Sequence, residues 1–225
     1  FLYTLHDSMS VSGHEIPLQK KVIEEMTPYC DEILTDYTGN VTSVLNKDAK
    51  FKVMLSGHID EIGLIITQIE ANGLIKVSSA GGIYPTVYPG QKVVIYGKEE
   101  ILYGVVICTR GLTKGEVTVK DLTIDIGAKD KEDAQQYVEV GDPIHLDTYH
   151  HEMKNGYLTA RAIDDRGGAF IILEALKRAK EKGCKIGVYA TTSVGEETSM
   201  RGAHWSASRI KPNVAIAVDV TYAQD

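Results

Sequence analysis

Four places in this chain put metal-ligating or proton-moving side chains where they could act together. The densest is the run Ala160 to Gly168, in which Asp164 and Asp165 stand side by side where a loop meets an apolar helix. Adjacent acids are costly unless something positive neutralises them, and a metal ion is the obvious candidate. His58 with Asp60, the pair Glu196 and Glu197, and Asp219 offer matching donors elsewhere in the chain. One imidazole with several carboxylates suits zinc, cobalt or manganese better than a thiolate-loving ion. The chemistry such a set supports is metal-dependent hydrolysis.

Each piece also has a plainer reading. Asp164 could cap the helix that follows while Asp165 favours its first-turn dipole, and His58 could be an inert strand-end histidine held by Asp60. Glu196 and Glu197 could form a solvated acidic turn, and Asp219 could cap the turn after it. His6, His14, His204 and the pair His150 and His151 are assigned structural or surface roles. Gly167 and Gly168, so early in an apolar helix, suggest that another backbone approaches closely.

The elements that must position these residues follow from periodicity. Ser10 to Glu15 feeds a helix that has Pro17 at an early position and Ile16, Leu18, Val22, Ile23 and Met26 on its apolar face. Strands are expected at 32–37, 41–45 and 51–55, the last running into His58. Between about 62 and 126 the chain is cut into short strands by Asn72-Gly73, Gly81-Gly82, Pro89-Gly90 and Lys114-Gly115. A helix-compatible stretch at 129–137, a strand around Ile144 and a hairpin turning at Asn155-Gly156 return the chain to Ala160. A helix from Ala169 to Ala179, a buried strand at 186–191, a short helix at 202–209 and an almost wholly apolar strand at 214–218 complete the pattern. The expected fold is therefore α/β, a mixed sheet flanked by helices, built from residues 1–67 and 156–225 and interrupted by a small β-rich insertion at 68–155. In such sheets, ligands gather at the carboxyl ends of strands, where His58, Glu196 and Asp219 are expected.

Composition narrows the function classes. The formal charge of −7 leaves no basic excess for a nucleic-acid backbone or an anionic membrane. Cys30, Cys108 and Cys184 are far apart and show no CxxC spacing, which fits a reducing compartment. Neither a signal peptide nor an apolar run of membrane-spanning length is found. The expectation is a cytoplasmic protein.

Taken in order, SVSGHE, SGHIDEIG, DLTIDIGA, VGDP, ARAIDDRGG, GEETSMRGA and AVDVTYAQD resemble the M42 metallo-aminopeptidases, the group with the tetrahedral and deblocking aminopeptidases. The likeness runs over essentially the whole chain. It implies a zinc-peptidase-like catalytic domain, an inserted small β-barrel-like domain used in assembly, and two divalent metal ions, zinc or cobalt first and manganese as an alternative. Carried across by resemblance, His58 and Asp219 bind one metal, Asp164 bridges both and Glu197 binds the second. Glu196 is then the general base and Asp60 sits behind His58. A cis peptide between Asp164 and Asp165 is implied as well.

On this likeness the substrates are peptides, cleaved at the N-terminal residue, and the partner is the chain itself in a large homo-oligomer such as a dodecamer. Two alternatives remain open at this stage: a dinuclear amidase or deacylase of N-acyl amino acids, and a non-catalytic assembly subunit or fragment. The family carries a further histidine ligand downstream of the position of Asp219, and no histidine of this chain matches it, so either the sequence is a fragment lacking its C-terminal part, the reading favoured here, or the second metal site is incomplete. Ser199 also stands where the family often has glycine.

Overall fold

The computed structural model describes residues 1–108 and 116–222. The expected turn at Lys114-Gly115 and the last three residues of the AVDVTYAQD motif lie outside these. Two compact units are present, Phe1–Glu61 with Tyr149–Asp225, and Ile62–Thr148.

The first unit starts with α1 (Leu2–Asp7), a helix with no obvious signal in the sequence, and α2 (Ile16–Met26). Pro17 opens α2, but Ile16 is 63% exposed, so Leu18, Val22 and Met26 form the buried stripe. The strands β1 (Glu32–Thr35), β2 (Val41–Leu45) and β3 (Lys52–His58) follow. The chain then leaves for the second unit.

That unit is a closed barrel of β4 (Gly63–Ile69), β5 (Ile75–Ala80), β6 (Lys92–Tyr96), β7 (Ile101–Cys108), β8 (Leu122–Asp125) and β9 (Pro143–Leu146), in the order β4-β5-β8-β7-β6-β9, with α3 (Lys131–Tyr137) between the last two. Alternate residues point inward. Leu64, Ile66, Ile75, Val93, Ile95, Val106, Leu122, Ile124 and Ile144 fill the interior.

The first unit resumes with the hairpin of β10 (His151–Glu152) and β11 (Leu158–Thr159). Tyr3 on α1 donates to Glu152 at 2.9 Å, and His150 Nδ1 meets Asp7 at 2.8 Å. These ties make the hairpin part of the sheet unit. Next come α4 (Ile163–Glu181), β12 (Gly187–Ser193), α5 (Glu196–Ser199), α6 (Arg201–Ile210) and β13 (Val214–Ala217).

Its sheet has the order β1-β2-β12-β3-β13, with β12, β3 and β13 mutually parallel and the remaining pairs antiparallel. Leu5, Leu18, Val22, Ala169, Ile172, Leu173 and Leu176 from α1, α2 and α4 cover one face through Val41, Leu45, Val188 and Ala190. Ile210 of α6 packs on the other face with Val44, Met54 and Tyr189. The apolar strand β13 pairs with β3 alone among the described residues, and its Val214 and Ile216 are 42% and 47% exposed. No described helix is long and apolar enough to cross a membrane.

Candidate active site

Parallel alignment brings three strand ends together. Ser193 of β12 is in register with His58 of β3, and Ala217 of β13 is in register with Ser56. Glu196, Glu197 and Asp219 leave these ends within a few residues, beside the start of α4. The two glutamates open α5. The helix forms there because Asp60 caps it: its two oxygens accept from the N–H groups of Glu196 and Glu197 at 3.1 and 3.2 Å.

His58 is 3% exposed. Its Nδ1 lies 3.1 Å from the Asp60 carbonyl and 3.4 Å from its carboxylate, and its Nε2 lies 3.0 Å from Asp164 Oδ1 and 3.7 Å from Glu196 Oε2. Asp60 therefore orients the ring, as an outer-shell carboxylate does for a ligating histidine. It sits beyond the end of β3 and wraps behind the ring, instead of facing the same side of an extended strand.

The two adjacent acids divide their work. The Asp164 side chain is 60% exposed toward His58, whereas Asp165 is fully buried and accepts from the N–H groups of His58 and Gly168, both at 3.1 Å. The bond between them is cis. A Cβ on Gly57 would come within 2.8 Å of Ala169 N, and one on Gly168 would strike the Asp165 carboxylate. The close backbone approach is therefore made where Gly57 of β3 faces Gly168 and Ala169, and the glycine it requires is on the strand; Gly168 makes room for the Asp165 side chain, and Gly167 meets only Ile163 at van der Waals distance.

Among the described residues, His58, Asp164 and Asp219 each offer a ligand atom within 4.8 Å of the other two. Glu197 falls outside this trio but is near enough for the charge of Asp164 to act on it.

Electrostatics give the same picture. Burial works against a charged His58 ring, yet the hydrogen bond and charge of Asp60, with Asp165 and Glu196, raise it to about 10. Burial, then Asp164, Asp60 and Glu196 against the opposing charge of His58, pushes Glu197 up to about 7. Asp165 also rises to about 7, by burial and the charge of Asp219 against His58 and the amides it accepts from. Glu196 is raised by burial and by Asp219, Asp60 and Asp164. Asp60 goes the other way: burial opposes its ionisation, but His58 and the Glu196 amide hold it below the usual carboxylate range. Acids that hold protons to neutrality around an imidazole that keeps its own far above it form a site short of positive charge, which a divalent cation would supply.

A family model for M42 glutamyl aminopeptidases matches residues 39–225. The chain belongs to that family. Among M42-like relatives, it is 30% identical to the lysyl aminopeptidase of Pyrococcus furiosus over 97% of this chain and 65% of that enzyme. It superposes with a TM-score of 0.94 on the TET aminopeptidase of Thaumarchaeota archaeon SCGC AB-539-E09, at 32% identity, over 100% of this chain and 66% of that one. The TET1 peptidase of Pyrococcus horikoshii matches with a TM-score of 0.89 at 29% identity, over 97% of this chain and 67% of that one. The chain spans 62% to 65% of the length of the curated relatives from Escherichia coli, Acetivibrio thermocellus and Pyrococcus furiosus.

Several residues that hold this M42 site carry no individual signal in the sequence. Arg166 is fully buried and donates to Glu61 at 2.7 Å, to Ser10 Oγ at 2.8 Å and to the His6 carbonyl at 2.9 Å. Arg161 donates to the second oxygen of Glu61 at 2.6 Å. Together they tie the first turn of α4 to α1 and to the segment leaving β3. An arginine directly after two acids, at the head of an apolar helix, was the available hint.

Proposed function

We propose that the protein carrying this chain is a metal-dependent aminopeptidase that removes N-terminal residues from peptides. The single observation that carries this is the trio of His58, Asp164 and Asp219, with mutually reachable ligand atoms, two at the ends of parallel strands and one in the first turn of α4. Its imidazole and carboxylate donors fit a hard-to-borderline divalent ion such as zinc, cobalt or manganese. In this reading His58 and Asp219 would hold one ion, Glu197 would hold a second, and Asp164 would serve both. Bound there, two such ions would acidify a water and stabilise the developing oxyanion of the scissile carbonyl.

The protein's own groups do the rest. Glu196, 32% exposed in its side chain beside His58 Nε2, takes the proton of the attacking water and passes it to the leaving amine. Asp60 keeps His58 turned toward the cation and holds α5 by its first amides, so that ligand and base share one anchor. The carboxylates gathered around His58 favour a substrate that brings a free α-ammonium group.

We assign the protein to a reducing, cytoplasmic compartment, which its free Cys30, Cys108 and Cys184 support. A large homo-oligomer built through the barrel unit, a dodecamer being one size, is supported by the TET1 peptidase of Pyrococcus horikoshii, which assembles into a tetrahedron or a large octahedral shell.

The test is Glu196→Gln in the full chain. Turnover of a free-amine aminoacyl anilide should fall by about 10²–10⁴-fold, the usual worth of a general base, with metal content by elemental analysis unchanged. Retained cleavage would remove Glu196 from the base role. A preference for the N-acetyl counterpart of the anilide would move the assignment to a deacylase.

A further inference from the structure

Glu15, on the loop that leads into α2, has no part in the reaction above, yet it is 6% exposed. A single oxygen, Oε1, accepts from the Gly13 N–H at 2.9 Å and from the Gly195 N–H at 3.1 Å. Gly195 immediately precedes Glu196 and stands at φ 65°, a left-handed conformation open to glycine, which has no side chain to fix it. In the same loop Ser12 Oγ lies 3.1 Å from Thr198 Oγ1. The turn is therefore gripped from two sides. Asp60 takes the amides of Glu196 and Glu197, and the 12–15 loop takes Gly195 and Thr198.

We infer that Glu15 is a positioning residue that sets the direction of Glu196 through Gly195. This rests on Glu196 being the base. Both bonds end on the same oxygen, so the geometry requires an acceptor at that reach from the backbone and does not require a charge. Glutamine meets the requirement, since its amide oxygen can accept both bonds. Aspartate keeps the charge but withdraws the oxygen by one carbon–carbon bond, about 1.5 Å.

The experiment compares E15Q and E15D with the parent chain, each loaded with zinc or cobalt and given a free-amine aminoacyl anilide. E15Q should keep kcat within about twofold, while E15D should lose about 100-fold in kcat, the scale expected for an ångström of misplacement, with KM and metal content unchanged. The acid limb of kcat against pH, which reports the base in the bound complex, should move in E15D and return to its parent position in E15Q. A variant that only lowered the folded fraction would scale kcat without moving that limb. Should E15D fail to fold, the double variant S12A/T198V carries the test, with kcat reduced about tenfold at constant KM.

Parent kcat and pH limb in E15D, or in S12A/T198V where that replaces it, would overturn the inference, as would an E15Q impaired as badly as E15D. A parent chain without cleavage, or an active E196Q, would remove the reading of Glu196 and this inference with it. An active parent, a silent E196Q and an unaffected E15D would remove the positioning role alone.

Discussion

In the barrel, a run of Leu, Ile and Val side chains closes on itself, and among the described residues Tyr88, Thr123 and His145 are the buried side chains with polar groups. In the sheet unit, Glu15, His58, Asp60, Glu61, Asp165 and Arg166 are all between 0% and 6% exposed. Ionised groups withdrawn from water are expensive unless paired or bound to metal. The sheet unit tolerates them because its helices cover a separate apolar face, leaving one end of the parallel strands for polar work. The barrel has no such end, and its stability is the ordinary kind that apolar burial provides.

The contrast can be broken most forcefully at His58. His58→Ala should abolish the cation's nitrogen ligand, lower metal-dependent cleavage by about 10³-fold or more, and leave the barrel folded. Elemental analysis and anilide turnover check this, and full metal retention would show that the trio is not a ligand set. Arg166→Met should destabilise the sheet unit by about 3–5 kcal/mol, because it leaves Glu61 buried with part of its partner set gone. Chemical denaturation measures it.

Leu64→Ala inside the barrel should cost about 2–5 kcal/mol with metal content unchanged. If it lowered metal content as well, the two kinds of core would not be independent.

The smallest effect is a pH dependence confined to the sheet unit. An acid whose pKa is raised on folding holds its proton where the unfolded chain has released it, so its ionisation weakens the fold. Asp165 and Glu197, both at about 7, should therefore make chelated protein lose stability as pH rises from about 4 through 7. His58, raised to about 10, adds a loss from about 6.5 through 10. Denaturation midpoints of chelated protein at pH 5, 7 and 9 should descend, and added zinc should flatten the trend. A flat chelated series would mean that these groups are better solvated than their surroundings suggest.

How much of this was legible in the sequence depended on range. His58, Asp164, Glu196 and Asp219 could be found because each follows an apolar strand or opens an apolar helix, and parallel strands deliver their ends to one place. Which of Asp164 and Asp165 turns inward could not be read, since Asp165 is held by the amide of His58, 107 positions away, as well as by that of Gly168. The bond from Gly195 to Glu15 joins residues 180 positions apart, and no local pattern encodes such a contact. The helix α1 is six residues long, too short to hold itself in water, and exists because Leu5 is packed in the sheet's core.

The common finish line of β12, β3 and β13 also sets where this molecule can tolerate change in length. Segments beyond those ends can be lengthened or shortened at little cost to the pairing. One residue inserted within any of the three strands would swap its two faces beyond the insertion, turning side chains that face one helix layer toward the other.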